Sequence, residues 1–358
     1  MRRFEVAIVG AGIAGASLAA EIAPHRSILL LEAEDRPGYH STGRSAAFWA
    51  ESYGGPLIQP LTSASGPFLA EHGFLRHRGA LHLADSEGEA VLERMEASQG
   101  QVSLEPMDRK AIERMVPGVW PGWDRALFEA SCADIDVAAL HAYYLKTARQ
   151  AGAEIVTGAR VTRADRKSDA WVLETPAGDF ECSILANAAG AWADEVASLA
   201  GVPTIGIVPH RRTIAQLSVD PPASADLPLV IDARERFYFK PEAGGRLWVS
   251  PHDETPCEPC DCAPEEMDVA VAIDWLGQVV EWRVEAVEHR WAGLRSFAPD
   301  RLPVYGFAAG RDDFFWCAGQ GGFGIQTAPA AARMAAALLL GRAGEGVDPG
   351  PYLASRFA

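Results

Sequence analysis

The chain has 358 residues, with 32 basic and 48 acidic side chains and a formal net charge of −16. That balance excludes a nucleic-acid binder, which needs clustered Lys and Arg for phosphate contacts, and 48% apolar with 22% charged residues excludes a disordered chain. No stretch supplies the roughly 20 apolar residues of a membrane-spanning helix, and the length exceeds what one core usually serves, so two domains, or one large domain with a lobe, are expected.

Residues 4–9 are apolar and rich in β-branched side chains, which predicts a buried strand. Gly10, Gly12 and Gly15 follow at once. Residues 16–23 predict a helix stopped by Pro24, and residues 27–31 a second strand ending at Glu32. Arg2 and Arg3 before an apolar run imitate a signal peptide. The three glycines inside that run have a better use, so the N-terminus reads as mature protein and the expected location is the cytoplasm. Residues 37–55 read as an ordered loop. Further along, the pattern predicts a strand over 80–84, a helix over 87–98, and a helix over 137–151 capped by Asp136. Strands follow over 154–156 and 160–162, then a hairpin of 171–174 and 179–185 around Pro176, Ala177 and Gly178. Residues 206–217 and 237–250 predict strands of a second sheet. Residues 264–276 predict a helix, and 325–340 the last long helix, broken early by Pro329. No internal repeat is present.

Six cysteines lie at positions 132, 182, 257, 260, 262 and 317. Cys257, Cys260 and Cys262 cluster, with His252 nearby. Thiolates at CxxC spacing can share a zinc ion, but no second pair completes a tetrahedron. The competing reading is a Pro-rich surface loop with incidental thiols, and no metal is expected. A disulfide scaffold does not suit so large a chain with so few cysteines.

Gly10-x-Gly12-x-x-Gly15, with Ile13 and Ala14 opening the helix, is a nucleotide fingerprint in the right context. The first glycine permits the tight turn, the second lets backbone approach a pyrophosphate, and the third lets helix and strand pack closely. The helix N-terminus offers N–H groups and a positive dipole end. Glu32 is placed for ribose hydroxyls and would repel a 2′-phosphate, which disfavours NADP. FAD and NAD are not separated by this fingerprint. Two later stretches bear on that choice. Residues 185–193 run from an apolar strand into Ala189, Gly190 and Trp192. Residues 317–327 form a glycine-rich loop that opens the last helix and can aim N–H groups at a negative atom.

Taken together, the GxGxxG, the NAAGAW stretch and the GQGGFGI stretch resemble the D-amino-acid oxidase family of FAD enzymes, which includes glycine and sarcosine oxidases and D-amino-acid dehydrogenases. The resemblance runs over residues 4–340, essentially the whole chain. Segments 37–47, 291–297 and 320–327 look most like the D-arginine dehydrogenase type within that family. The resemblance implies a noncovalent FAD. Ala33, Ser41, Thr42, Gly43, Arg44, Ser45, Ala46, Ala47 and Val161 would line it. Gly321, Gly322, Phe323, Gly324, Ile325, Gln326 and Thr327 would meet the pyrimidine edge of the isoalloxazine. Members that bind flavin through a Cys carry it near the Leu294-Arg295 position, and none stands there. The implied fold is α/β: a Rossmann-like, glutathione-reductase-like FAD-binding domain with an inserted α+β substrate domain on a mostly antiparallel sheet. The expected division is 1–75, 137–205 and 293–358 for the first, and 76–136 and 206–292 for the second.

Removing a hydride from an amine-bearing carbon requires that the α-carbon be held against flavin N5, the carboxylate be fixed and the amine be neutral. A carboxylate is best held by the planar fork of Arg. The resemblance places Arg295 there, with Tyr238 as a second contact, Tyr53 over the substrate and Gly321 beside the flavin. Of Arg211 and Arg212, adjacent strand positions face opposite ways, so one should face inward; Arg211 fits the resemblance better. Phe48 replaces a His of the D-arginine type, and Gly79-Ala80 replaces a glutamate suited to a guanidinium. A D-amino acid with a neutral or apolar side chain, including a large one, is therefore expected. It would be oxidised to the imine and then to a 2-keto acid and ammonia, with a quinone-type acceptor or oxygen as electron partner. Oxidation of glycine- or sarcosine-type amines, a 2-hydroxy-acid dehydrogenase, an NAD enzyme and a nonenzymatic flavoprotein are the alternatives. His40, His210 and His252 read as structural.

Overall fold

Two sheets, each built from separate pieces of chain, organise the computed structural model, which describes residues 2–97, 102–344 and 346–358. The first has eight strands. Arg2–Val9 lies between Ile28–Leu31 and Phe180–Asn187, parallel to both. Glu154–Val156 extends the sheet beyond Ile28–Leu31. Phe314–Ala318 pairs with Phe180–Asn187 and carries Val304–Phe307 as an antiparallel partner. Ala170–Glu174 and Arg163–Lys167 complete the other edge, antiparallel. Central parallel strands are covered on both faces. Hence residues 6–9 and 28–31 read as continuous apolar runs and are buried throughout. Helices Ile13–Ile22, Val137–Gln150 and Gly324–Leu339 share one core beside this sheet, around Leu18, Leu140 and Met334.

The second sheet has ten strands and is mostly antiparallel. Arg283–Phe297 pairs with Val208–Asp220 along nearly its whole length. Arg246–Ser250, Tyr238–Glu242 and Leu229–Asp232 follow. Ala80–Ala84 joins parallel to Leu229–Asp232, and Arg125–Glu129 and Glu105–Met107 close that edge. Helix Glu266–Val279 packs on this sheet through Val269, Ala272 and Leu276. Three short strands, Phe48–Trp49, Ala133–Ile135 and Leu75–His77, form a third sheet. The fold is α/β with mixed sheets and no closed barrel among the described residues. The Arg283–Phe297 strand runs through the expected division at 292/293.

Several local expectations change. Residues 160–162 are not a strand; pairing begins at Arg163 opposite Glu174. Gly158 turns the chain at φ +61°, and the Ala159 N–H bonds the Glu32 carbonyl at 2.8 Å, which draws 159–161 over the end of the first sheet. Residues 237–250 are two strands, because Gly244 and Gly245 take φ values of +78° and +75°. Pro329 does not break the last helix. It lies in the second turn of a continuous Gly324–Leu339 helix and forgoes one hydrogen bond, to the Ile325 carbonyl. The helix expected over 87–98 spans Glu89–Ala97, and Ser98 lies outside the described residues. Asp136 caps Val137–Gln150 by accepting from the Ala139 N–H at 2.9 Å. No helix among the described residues is long and apolar enough to cross a membrane.

Candidate active site

A long cleft runs from the glycine turn to the Arg283–Phe297 strand. At the turn, Gly10 has φ +100°, and a Cβ there would lie 2.4 Å from the Ala188 carbonyl oxygen. A Cβ on Gly15 would lie 1.9 Å from the Gly10 carbonyl oxygen. No side chain fits at either place. Gly12 leaves the helix start open to the cleft, where the Ile13 N–H donates to Thr42 Oγ1 at 3.0 Å. Glu32 is buried beneath. Its Oε2 accepts from the Ala11 N–H and its Oε1 from the Glu34 N–H, both at 3.0 Å. No cation is within ion-pair distance of it among the described residues. A buried carboxylate with spare lone pairs at a glycine cradle suits a ribose diol beside a pyrophosphate.

The 38–46 loop is tied down along the middle of the cleft. Ser41 Oγ donates to the Leu294 carbonyl at 2.7 Å. Arg44 donates to the Cys262 and Ala292 carbonyls at 2.8 and 3.1 Å and pairs with Asp261. Cys257, Cys260 and Cys262 stay free thiols in that neighbouring loop. Among the described residues no group of three or more His, Cys, Asp or Glu could hold a metal.

Most of the expected cofactor residues line the cleft: Gly10, Gly12, Ile13, Ala14, Glu32, Ala33, Ser41, Thr42, Arg44, Ser45, Ala46, Val161, Ala189, Gly190, Trp192, Gly321, Gly322, Gly324 and Ile325. Gly15 and Gly43 lie behind it, needed for close backbone packing. Phe323 and Thr327 do not line it. Phe323 packs edge-on against Tyr53, and Thr327 is wholly buried with its hydroxyl on the Phe323 carbonyl. Gln326 Nε2 donates to the Tyr53 carbonyl and to Thr62 Oγ1, at 3.2 and 3.0 Å.

At the far end, Arg295 and Tyr238 line both the cleft and a small side cavity of about 30 Å³ shared with Ala47, Phe48, Tyr53 and Gln326. That volume holds little more than water. Phe48 contacts Tyr53 and Tyr238, with ring centroids 5.1 and 6.2 Å apart. The Arg295 guanidinium lies against Gly322, where a Cβ would come within 2.9 Å of Nη1. It donates from Nη1 to the Tyr53 hydroxyl at 2.9 Å and has no carboxylate within ion-pair distance among the described residues.

The inward arginine of the adjacent pair is Arg212, not Arg211. Arg212 is 4% exposed and shares the inward parity of Ile214, which also lines the cleft. Its Nε donates to the Asp253 carbonyl at 2.8 Å and its Nη2 to Glu254 at 3.2 Å, while Nη1 is buried without a partner. Burial, then the nearby Arg295 charge, lowers its pKa to about 10. Arg211 turns outward to Glu265 and Asp268. Ser296 Oγ, also lining the cleft, is a second buried orphan. Two unpaired polar atoms on one cleft mark a place for a polar ligand.

His252 stands behind Tyr238, ring centroids 5.7 Å apart, at φ +54°. Its Nδ1 bonds the Glu235 carbonyl. Burial, then repulsion from Arg212 and Arg295, lowers its pKa to about 2, so the ring is neutral. His210 is turned to its own strand, with Nδ1 on the Val208 carbonyl. His40 lines the cleft, with Nε2 2.9 Å from Glu34 and its ring 4.6 Å from Trp192. Sequence reasoning left out Ser296, Gln320, Arg160 and Gly293 as lining residues. Ser296 and Gly293 lay within the 291–297 segment it singled out, but nothing in their type marked them.

Residues 5–338 match the family model described as DAO, FAD dependent oxidoreductase. The chain is 25% identical over 365 residues to glycine oxidase from Geobacillus kaustophilus, covering 91% of this chain and 90% of the relative. The crystal structure of that glycine oxidase superposes with a TM-score of 0.87 at 23% identity, covering 99% of each chain. The FAD-bound, dithionite-reduced L-alpha-glycerophosphate oxidase from Mycoplasma pneumoniae gives a TM-score of 0.84 at 18% identity, covering 95% of each. A segment of 176 residues is 28% identical to FAD-dependent oxidoreductase domain-containing protein 1 from Xenopus laevis; it is 45% of this chain and 35% of that longer relative.

Proposed function

Because the chain belongs to the DAO family of FAD dependent oxidoreductases, we propose that its substrate is an α-amino acid with a neutral, compact side chain, D-configured where the α-carbon is chiral. FAD, when bound, accepts the electron pair of the substrate's α C–H bond. Gly10, Gly12, Glu32, Thr42 and the 38–46 loop would hold its dinucleotide portion, and 321–325 its ring end. Arg295 and Arg212 would grip the substrate carboxylate, with the Tyr238 and Tyr53 hydroxyls beside it. The observation that carries this reading is the partly buried Arg295, without a carboxylate within ion-pair distance among the described residues, next to the orphaned Nη1 of the buried Arg212. Arg212 is paired with Glu254 through Nη2 alone, so an unpaired Arg295 and a free Arg212 Nη1 on one cleft, in a chain of net charge −16, are best explained by an anion that completes them.

Among the described residues, no Asp, Glu, His or Lys lines the small cavity at the substrate end. The substrate therefore enters as the free amine, and loss of the α-hydrogen with its electron pair leaves a protonated imine that water hydrolyses to the 2-keto acid and ammonium. Phe48 and Tyr53 line that end and would exclude water from it. The same lack of a base disfavours a 2-hydroxy acid. Among the described residues no acidic side chain lines the small cavity, so D-Arg, which the D-arginine dehydrogenase resemblance would suggest, should be a poor substrate. Its small volume also narrows the large-side-chain expectation. It favours a second reading, in which glycine or sarcosine is the physiological substrate. A noncovalent cofactor, a cytoplasmic location, the two-domain division and a quinone-type or oxygen acceptor complete the proposal. The test is a substrate panel of glycine, sarcosine, D-Ala, D-Leu, D-Phe, D-Arg and lactate, assayed with a dye acceptor and with oxygen in parallel. Turnover of D-Arg far above glycine and D-Ala, or of lactate alone, rejects the reading.

A further inference from the structure

Behind the substrate end, the Arg125–Glu129 strand finishes on a carboxylate that is wholly buried. Glu129 has no Lys or Arg within ion-pair distance among the described residues. Its charge is met by hydrogen-bond donors instead. Oε1 accepts from the Glu51 N–H at 2.6 Å and, at 3.4 Å, from the Ser52 N–H and the Ser131 hydroxyl. Oε2 accepts from the Ser52 hydroxyl and lies 3.5 Å from His82 Nε2. Burial pushes the Glu129 pKa up, but His82, Ser52 and the Glu51 N–H more than reverse that, leaving it below the ordinary carboxylate value.

Three of those donors belong to one short segment, Glu51 and Ser52, immediately before Tyr53. Gln326 holds the two ends of that segment, accepting from the Ala50 N–H at 3.3 Å and donating to the Tyr53 carbonyl at 3.2 Å, while Ser63 bonds the Glu51 side chain, His82 lies 3.1 Å from the Ser52 hydroxyl and the Tyr53 N–H meets the Ala50 carbonyl at 3.2 Å. After Tyr53 the chain turns through Gly54 and Gly55, at φ +99° and +77°. The Tyr53 hydroxyl, at the end of this arrangement, accepts from Arg295 Nη1.

We propose that Glu129 is a positioning residue: by holding the 51–52 backbone it fixes Tyr53, and through Tyr53 it fixes the Arg295 guanidinium in its carboxylate-binding geometry. The proposal rests on Arg295 being the carboxylate ligand. It separates Glu129 from an ordinary buried stabilising residue, because a stabilising residue alters unfolding without altering anion affinity.

The experiment titrates FAD-loaded protein with acetate, an unreactive carboxylate, and follows the flavin absorbance. Wild type, E129A, E129Q, Y53F, E129A/Y53F and R295M are compared, with thermal melting in parallel. E129A should weaken acetate binding about tenfold. In the Y53F background the same change should add less than about twofold, because the relay is already cut. E129Q keeps an acceptor for the Glu51 N–H and should lose less than about threefold. In turnover, KM should rise more than kcat falls. An E129A effect equally large with and without Tyr53's hydroxyl overturns the proposal, as does unchanged acetate affinity in a folded variant. If E129A does not fold, E129D, whose shorter side chain draws the carboxylate away from the Glu51 N–H, makes the same comparison with and without Y53F. Acetate binding that survives R295M refutes the carboxylate-ligand reading itself, independently of Glu129.

Discussion

The adjacent arginines on the Val208–Asp220 strand give a sharp paired perturbation. Arg212→Met keeps an apolar stem and removes the buried charge. The Asp253 carbonyl loses its Arg212 donor, but the carboxylates keep others: Asp253 retains the Thr213 N–H at 2.7 Å and the Thr213 hydroxyl at 3.0 Å, and Glu254 retains Arg301 at 2.8 Å. The fold should therefore survive, and the loss should fall on the ligand that meets Nη1. Truncating one partner of a buried charged pair costs about 2–4 kcal/mol, or roughly 30- to 1000-fold in kcat/KM. Arg211→Met breaks pairs with Glu265, whose side chain is 62% exposed, with Asp268 and, at 3.8 Å, with Asp253. Only the Glu265 pair is of the exposed kind worth about 0–1 kcal/mol, so stability falls, but Arg211 does not line the cleft and kcat/KM per bound flavin should change less than about threefold. Both variants are assayed on the best amino acid of the panel, normalised to bound flavin. Equal losses in the two variants, or an R212M loss under about threefold, refutes the assignment of the inward face.

Other outcomes follow from the same geometry. His252 is neutral in both states above pH 7, but below pH 6.5 only the unfolded chain takes its proton, because the folded pKa is about 2. Stability is thus lost as pH falls, by roughly 2 kcal/mol between pH 6.5 and 5 from this residue; urea unfolding of H252N should show that much less loss, and an equal loss contradicts it. Glu32→Ala strands the Ala11 and Glu34 N–H groups, so the apoprotein should lose about 2–4 kcal/mol and FAD should bind at least about tenfold more weakly, read by melting and by flavin fluorescence. Phe48→Ala opens the small cavity and should raise the D-Phe to D-Ala ratio of kcat/KM about tenfold; an unmoved ratio places the side-chain site elsewhere. Acid precipitation should release FAD into the supernatant, and yellow colour kept in the pellet contradicts a noncovalent cofactor.

What the sequence made legible are features that backbone geometry demands. Gly10 and Gly15 are required by contacts of 2.4 and 1.9 Å that any Cβ would make, and the parallel strands beside them announce themselves by continuous apolar runs. Asp136 announces its helix for the same local reason. Legibility fails where tertiary context decides. The first eight residues of Arg283–Phe297 are almost all exposed and carry charges of both signs, so no inward face shows in their pattern. Parity dictates that only one of Arg211 and Arg212 faces in, but the choice is made by pairing with Arg283–Phe297 and by helix Glu266–Val279, which supplies Asp268 to Arg211. Glu129 looks like an unremarkable acid at a strand end; its meaning comes from residues 47 to 78 positions away.

The proposed reading is that two arginines, the buried Arg212 and the partly buried Arg295, select an amino acid by its carboxylate for oxidation at the flavin. Its most direct test is anaerobic bleaching of the purified yellow protein, comparing glycine and D-Ala with L-Ala and with methylamine and ethylamine, which lack the carboxylate. Bleaching by glycine and D-Ala, with the L-enantiomer and the simple amines inert at the same concentration, is the predicted result. Bleaching by the simple amines as readily as by the amino acids, or by L-Ala in preference to D-Ala and glycine, would contradict it.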